Sequence, residues 1–149
     1  MDPSFLLTHL WCAYALEQTG QYAEALDELH EANRLSGGSP WTQTSLASTL
    51  ARSGNTGEAR RILDEVVQQS AHRYVSPFFV ALVWVALGDH ERAFEWLERA
   101  YEERSHWMTF LNVEPRLDPL RSDARLEDLR RRVGLPESSS SPATRNARP

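Results

Sequence analysis

The side chains of this sequence that could catalyse a reaction or bind a metal include five histidines and a run of glutamates. The histidines, at positions 9, 30, 72, 90 and 106, form no metal-binding motif with one another. The glutamates at positions 91, 95, 98, 102 and 103 share a helical stretch that already has an apolar face, which makes them its solvated side. Neither set predicts a reactive pair, so we expect no catalytic residue, no metal and no cofactor.

A single cysteine and a cluster of arginines offer two further chemistries. Cys12 has no second thiol for a disulfide or a metal site, and its position in the seam between the predicted helices predicts a buried, inert side chain. The arginines at positions 130, 131 and 132 could contact phosphate, but Glu127 and Asp128 lie at ion-pairing spacing along the same predicted helix. Surface pairing is therefore the expected role of these arginines.

Charge and hydropathy argue against several classes of partner. The 149 residues carry a formal net charge of −5 with a pI near 5.5, which provides no basic surface for nucleic acid. The longest apolar run, Phe78 to Leu87, is too short to span a bilayer, and the first residues lack the pattern of a secretory signal. We therefore expect neither a nucleic-acid nor a membrane partner, and a cytoplasmic location.

The elements that would position any site come from an internal repeat. Three segments align at a spacing of 34 residues without a gap, and four columns are identical in every copy. These columns are Ala13/Ala47/Ala81, Gly20/Gly54/Gly88, Ala25/Ala59/Ala93 and Leu29/Leu63/Leu97. The small residues let two antiparallel helices approach closely, and each glycine falls where the first helix must end in a left-handed conformation. The pattern predicts three helical hairpins.

The predicted helices also have recognisable beginnings. Asp2-Pro3, Ser39-Pro40 and Ser76-Pro77 each place a capping residue before a proline at the first helical position. Asn55 and Asp89 are suited to cap the second helices of two hairpins. The stretch from Phe78 to Leu87 is apolar all round, which predicts that this helix is buried on every side.

The repeat resembles the tetratricopeptide repeat family. In the first copy the resemblance is carried by Tyr14, Gly20, Tyr22 and Ala25, and the third copy, from Val80 to Phe94, is similar. The resemblance implies an all-α, right-handed solenoid of three helix hairpins plus C-terminal capping helices. Residues 1–135 would form one domain, with repeats at about 6–39, 40–73 and 74–107 and a capping segment at 105–134.

The C-terminal part of the sequence leaves the 34-residue period. The apolar residues Trp107, Met108, Phe110 and Leu111 predict a short helix that covers the exposed end of the last hairpin, and a final helix is expected over 123–134. The stretch 115–136 resembles the ending of repeat regions in bacterial signalling and regulatory proteins, which implies a bacterial interaction module. Residues 136–149 are predicted to be a disordered tail.

The predicted function is that of a noncatalytic scaffold that binds a peptide or a partner protein. In the tetratricopeptide family the first helix of each hairpin lines a concave groove, and the resemblance carries this role to Leu10, Tyr14, Glu17, Trp41, Ser48, Arg52, Phe78 and Leu82, with Leu7, Ser45, Val75 and Phe79 on the same face. An apolar or amphipathic peptide suits this largely aromatic lining, but residues 105–134 or a second copy could fill it instead. The alternatives are a homodimer formed through the aromatic C-terminal repeats and, less favoured, an enzyme.

Overall fold

The computed structural model describes residues 2–136 of the chain. The helices are α1 (Pro3–Gln18), α2 (Tyr22–Leu35), α3 (Pro40–Arg52), α4 (Thr56–Gln69), α5 (Pro77–Ala86), α6 (His90–Glu102), two 3₁₀ helices (His106–Phe110 and Pro115–Leu120) and α7 (Ala124–Val133). Residues 2–136 contain no β-strand, and the predicted all-α fold of three hairpins is confirmed. The tail predicted at 136–149 lies outside the described residues from position 137 onward.

The three hairpin turns share one geometry, which the repeated glycine produces. Gly20, Gly54 and Gly88 have φ angles of 77°, 96° and 80°, in the left-handed region that glycine enters without a Cβ clash. The amide after each glycine donates to the carbonyl five residues earlier; for example, Gln21 N–H donates to the Leu16 oxygen at 2.9 Å. This bond closes the last turn of each first helix, as the sequence predicts.

The helix beginnings also follow the sequence. Asp2, Ser39 and Ser76 precede the first helices of the three hairpins, each followed by proline, and the side chains of the first two accept backbone amides. Asn55 and Asp89 cap α4 and α6 in the same way. The second helix of the first hairpin differs, because Gln21 makes no side-chain capping hydrogen bond there.

Small residues that recur every 34 positions form the seam of each hairpin. The alanines of both columns and the leucines at 29, 63 and 97 are all buried. Large apolar residues also recur every 34 positions, at Leu16, Leu50 and Trp84; the last two are buried and Leu16 is half-buried. Successive hairpins then stack, with α3 packing against α2 and α5 packing against α3.

The helix α5 is buried on every side, as its composition predicts, and a segment beyond the repeats completes the burial. We call residues 105–121 the strap; they contain both 3₁₀ helices. Its side chains Met108, Leu111, Leu117 and Leu120 are buried, and the second 3₁₀ helix packs on α5. The sequence placed Trp107 at the end of the last hairpin, but its ring lies instead 4.9 Å from Phe79, on the first-helix side of the solenoid.

The end of the last hairpin is covered by α7. The Arg125 guanidinium lies 4.2 Å from the centre of the Phe94 ring, and Arg132 pairs with Glu98 of α6 at 3.0 Å. Arg132 also pairs with Asp128 at 2.9 Å, and Arg130 pairs with Glu127. Two of the three clustered arginines thus have the ion-pairing role that the sequence predicts.

Two further findings concern burial and membranes. Cys12 is exposed, so the prediction of a buried thiol is wrong. The matching residues of the next two hairpins, Leu46 and Val80, are buried, and each of those hairpins packs against a preceding one. None of the helices between residues 2 and 136 combines the length and the apolar character needed to cross a bilayer.

Candidate functional site

An apolar cavity of about 270 Å³ opens between α1 and α3, and the strap forms its third wall. Seven aromatic side chains line it: Trp11 and Tyr14 from α1, Trp41 from α3, Phe78 and Phe79 from α5, and Trp107 and Phe110 from the strap. Leu10, Ala13 and Leu29 add aliphatic surface from the first hairpin. A concave, mostly apolar lining with few polar groups is the usual character of a binding site.

One buried carboxylate joins the two helices that bound the cavity. Glu17, near the end of α1, is only 4% exposed. Its Oε1 accepts a hydrogen bond from the Thr49 hydroxyl at 3.1 Å and lies 3.3 Å from Arg52 Nη1, both of α3. A buried charge needs such partners, and losing one of them is costly. These contacts hold α1 and α3 together near their C-terminal ends, beside the cavity, whose lining includes Glu17 and Thr49.

The wall shared by α3, α5 and the strap is a cluster of three aromatic rings. The Trp107 ring lies 4.9 Å from Phe79 and 6.4 Å from Trp41, and the Trp41 and Phe79 rings are 6.1 Å apart. Tilted and edge-to-face rings at such distances stabilise one another. A second, more open depression of about 500 Å³ lies against the same three rings. The cluster therefore fixes the strap against the repeats.

The polar groups of the cavity are paired with each other. Arg116 Nε donates to Glu114 Oε1 at 2.9 Å, and the same guanidinium lies 5.5 Å from the centre of the Tyr14 ring. Burial alone would raise the pKa of Glu114, but the hydrogen bonds and charge of Arg116 together hold it below its usual value. Burial, followed by the charge of Glu114, raises the pKa of Tyr14. At neutral pH Glu114, Arg116 and Tyr14 are therefore a carboxylate, a guanidinium and an uncharged phenol.

The mouth of the cavity is itself apolar. Five side chains of the lining remain exposed there: Leu7, Trp11, Trp41, Phe110 and Val113. Trp11 is the extreme case, with 69% of its surface accessible. Large apolar groups gathered at one opening are typical of surfaces that contact another molecule.

Five of the eight groove residues predicted from the sequence line this cavity: Leu10, Tyr14, Glu17, Trp41 and Phe78. Arg52 lies beside it, paired with Glu17. Ser48 and Leu82 are each 1% exposed, so in this structure neither lines the cavity or presents a surface to solvent. They occupy the same repeat column as Tyr14, but α5 packs on α3, and the second 3₁₀ helix of the strap packs on α5.

Several other lining residues were not predicted from the sequence. Trp11 belongs to the same repeat column as Ser45 and Phe79, so the 34-residue period was sufficient to find it. Trp107, Phe110 and the Glu114–Arg116 pair come from the strap, where no period relates a residue to the groove. Only the folded position of the strap brings them to the cavity.

The ionisable residues show no arrangement for binding a metal ion. Within residues 2–136, no three histidine, cysteine or acidic side chains are grouped to hold one. His9 contacts the Glu28 carboxylate at 2.5 Å, on the side of α1 that faces α2. No histidine lines the cavity between α1 and α3.

One family model matches part of the chain. Residues 8–76, which span most of the first two hairpins, match the model described as Tetratricopeptide repeat. No curated protein matches the chain. No solved structure matches it either.

Proposed function

We propose that this chain, whose residues 8–76 belong to the tetratricopeptide repeat family, is a scaffold that binds an apolar segment of another protein in the cavity between α1 and α3. Repeats of this family generally mediate contacts between proteins. One observation carries the proposal: aromatic side chains line the cavity, and exposed apolar side chains form its mouth. Burial of both on binding would supply the free energy of association.

The lining indicates the chemistry of the bound segment. The charged groups of the lining are already paired, Glu17 with Arg52 and Glu114 with Arg116, so none is left to select a charged anchor. Seven aromatic rings instead offer flat apolar surface. A large apolar or aromatic side chain suits this cavity best, because it gains burial and ring contacts without desolvating a charge.

The protonation states in the cavity favour binding over catalysis at these groups. A general acid that works near neutral pH needs a carboxyl pKa raised toward that range. The pKa of Glu114 moves in the opposite direction, and the raised pKa of Tyr14 keeps its hydroxyl protonated. The family is also typically a noncatalytic scaffold. We therefore propose a binding role for these residues.

The homodimer through the aromatic C-terminal repeats is less favoured. Phe79, Trp84 and Phe94 are buried inside the chain, where they contact other elements of the same molecule. Arg92 and Arg125 also lie over the rings of Trp84 and Phe94, respectively. These rings are therefore not available as a surface for a second copy.

A peptide selection tests the proposal. The full chain would be immobilised and exposed to a phage library of random dodecapeptides, and enriched sequences would be synthesised with a fluorescent label for anisotropy titration. We expect enriched peptides to carry large apolar residues. We expect Trp41→Ala and Phe110→Ala to weaken their binding at least tenfold, as for central aromatic anchors of other interfaces.

The matched control is Phe5→Ala. Phe5 is 61% exposed on α1 but does not line the cavity, so its loss should leave the affinity of the peptides unchanged. Circular dichroism would verify that each variant remains helical. A library that yields no apolar binder, or peptides that bind the two cavity variants as tightly as the wild type, would refute the proposal.

A further inference from the structure

Glu17 uses only one of its two carboxylate oxygens in contacts with the protein. Oε1 accepts the Thr49 hydroxyl at 3.1 Å and lies 3.3 Å from Arg52 Nη1. Within residues 2–136, no hydrogen bond is donated to the other oxygen, Oε2. A carboxylate oxygen is a strong acceptor, and buried polar atoms normally have a partner. The second oxygen of Glu17 is therefore available to a ligand.

This oxygen is open to the cavity between α1 and α3. The polar side-chain atoms that are both sealed from solvent and without a hydrogen bond in residues 2–136 include Ser48 Oγ and Arg52 Nη1, but not Glu17 Oε2. Oε2 therefore keeps some accessible surface, although Glu17 as a whole is only 4% exposed. Because Glu17 lines the cavity and is otherwise covered, the open side of Oε2 is the cavity.

The other carboxylate of the lining, Glu114, has no such open oxygen. Its Oε1 accepts the backbone amide and the Nε of Arg116, at 3.0 and 2.9 Å, and its Oε2 accepts Nη2 of the same residue at 3.1 Å. Of the two carboxylates that line the cavity, Glu17 is thus the one that can accept a hydrogen bond from a bound molecule.

The surroundings of Glu17 define which donor fits. Its negative charge is already balanced by Arg52, so a cationic anchor would bring a second positive charge beside Arg52 and would lose its water among aromatic rings. A purely apolar anchor would cover Oε2 without giving it a hydrogen bond. A neutral N–H or O–H at the edge of an apolar ring satisfies both the oxygen and the aromatic lining.

The position of the acceptor suits the far edge of an inserted ring. The cavity lining on α3 includes Trp41, Ser45 and Thr49, each four residues after the last, and on α1 Tyr14 lies one turn before Glu17. Thr49 and Glu17, which bond to each other, are therefore the last lining residues of their two helices. The volume of about 270 Å³ is close to the lower limit for ligand sites, so the cavity accepts one ring system rather than several.

We propose that Glu17 Oε2 selects, as the anchor of the bound segment, an aromatic side chain that carries one neutral hydrogen-bond donor, an indole N–H or a phenol O–H. The inference rests on the proposed function, because it names the anchor that the cavity binds. It separates tryptophan and tyrosine, which carry the donor, from phenylalanine and leucine, which do not.

Paired peptides test this selection on the unmodified protein. For a phage-selected peptide anchored by tryptophan, benzothienylalanine replaces the indole N–H with sulfur and keeps the shape of the ring. For a peptide anchored by tyrosine, phenylalanine removes only the hydroxyl. Anisotropy titration with the full chain should show that the dissociation constant rises by roughly tenfold or more in each pair, because the buried carboxylate oxygen then loses its donor.

Glu17→Gln tests the same contact from the protein side. With the amide oxygen bonded to Thr49, the amide NH₂ takes the place of Oε2, so the tryptophan and benzothienylalanine peptides should bind with nearly equal affinity. The control Glu65→Gln makes the same exchange on the exposed surface of α4 and should keep the ratio of the wild type. Glu17→Gln leaves Arg52 without its partner; where this variant fails to fold, the paired peptides on the wild type decide by themselves.

The outcomes separate this inference from the cavity model. Equal affinities within each pair on the wild type, or selected peptides anchored only by leucine and phenylalanine, would overturn the selection by Glu17 and leave the cavity as the binding site. A ratio that persists in folded Glu17→Gln would also overturn it. A library that yields no apolar binder would refute the cavity model itself, and this inference with it.

Discussion

Filling the cavity between α1 and α3 should stabilise the protein and at the same time abolish ligand binding. Ser45 lines the cavity from α3, and its hydroxyl bonds only within its own helix, to the Trp41 carbonyl at 2.9 Å. In Ser45→Phe the new ring would enter the cavity with little change in helix propensity. If roughly 100 Å² of the ring is covered, burial contributes about 2.5 kcal/mol at 25 cal/mol per Å².

The net gain is smaller because the ring loses rotamer freedom and the cavity is open on one side. We expect a stabilisation of about 1 kcal/mol, which raises the melting temperature by about 3 °C for a chain of this size. Urea denaturation followed by circular dichroism measures the free energy of unfolding. Anisotropy with a selected peptide should show at least a tenfold loss of affinity in the same variant.

The control is Gln68→Phe, which places the same ring on the exposed surface of α4. Its free energy of unfolding should stay within about 0.5 kcal/mol of the wild type, and its peptide affinity should not change. A Ser45→Phe protein that is less stable than the wild type would show that the cavity cannot accept a ring. Stabilisation with unchanged peptide affinity would show that the peptide binds elsewhere.

Three further predictions test local features of the fold and the site. Gly54→Ala should cost about 1 kcal/mol because φ is +96°, whereas Gly57→Ala, in a helical conformation with open space around it, should stabilise by about 0.5 kcal/mol in the same urea assay. Gln21→Asp supplies the missing cap of α2 and should add about 0.5–1 kcal/mol to the free energy of unfolding. Because the folded-state pKa of Glu114 is lowered, its contribution to stability is present above its unfolded pKa and is lost as pH falls through the folded value, so the advantage of the wild type over Glu114→Gln should shrink below about pH 4 in urea titrations.

The hairpins could be predicted from the sequence because local chemistry specifies them. A proline after a capping residue favours the start of a helix, and a glycine in the left-handed conformation favours its end. Ser39 and Gly54 bound α3 in this way at its two ends. The seam of each hairpin could be predicted for a related reason. Two helices that approach closely need small residues at the contact, and these recur every 34 positions.

The burial of individual groove positions could not be predicted in the same way. The period identifies residues that occupy equivalent positions, but it does not state which neighbour covers each of them. Tyr14, Ser48 and Leu82 illustrate this, because the first lines the cavity while α5 packs beside the second and the strap covers the helix of the third. Cys12 shows the converse, since its equivalent Leu46 is buried by a preceding hairpin and Cys12 itself is exposed.

The position of the cavity depends on contacts that the period does not specify. The first helices begin at Pro3, Pro40 and Pro77, 37 residues apart, although the columns recur every 34 residues, so each first helix is three residues shorter than the one before it. The packing between hairpins also changes: α3 rests mainly on α2, whereas α5 rests mainly on α3. Glu17 joins α1 to α3, and the cavity lies between the same two helices, with the strap as its third wall. The regular columns located the helices better than the cavity, because the cavity depends on how neighbouring hairpins pack and on a segment outside the repeat.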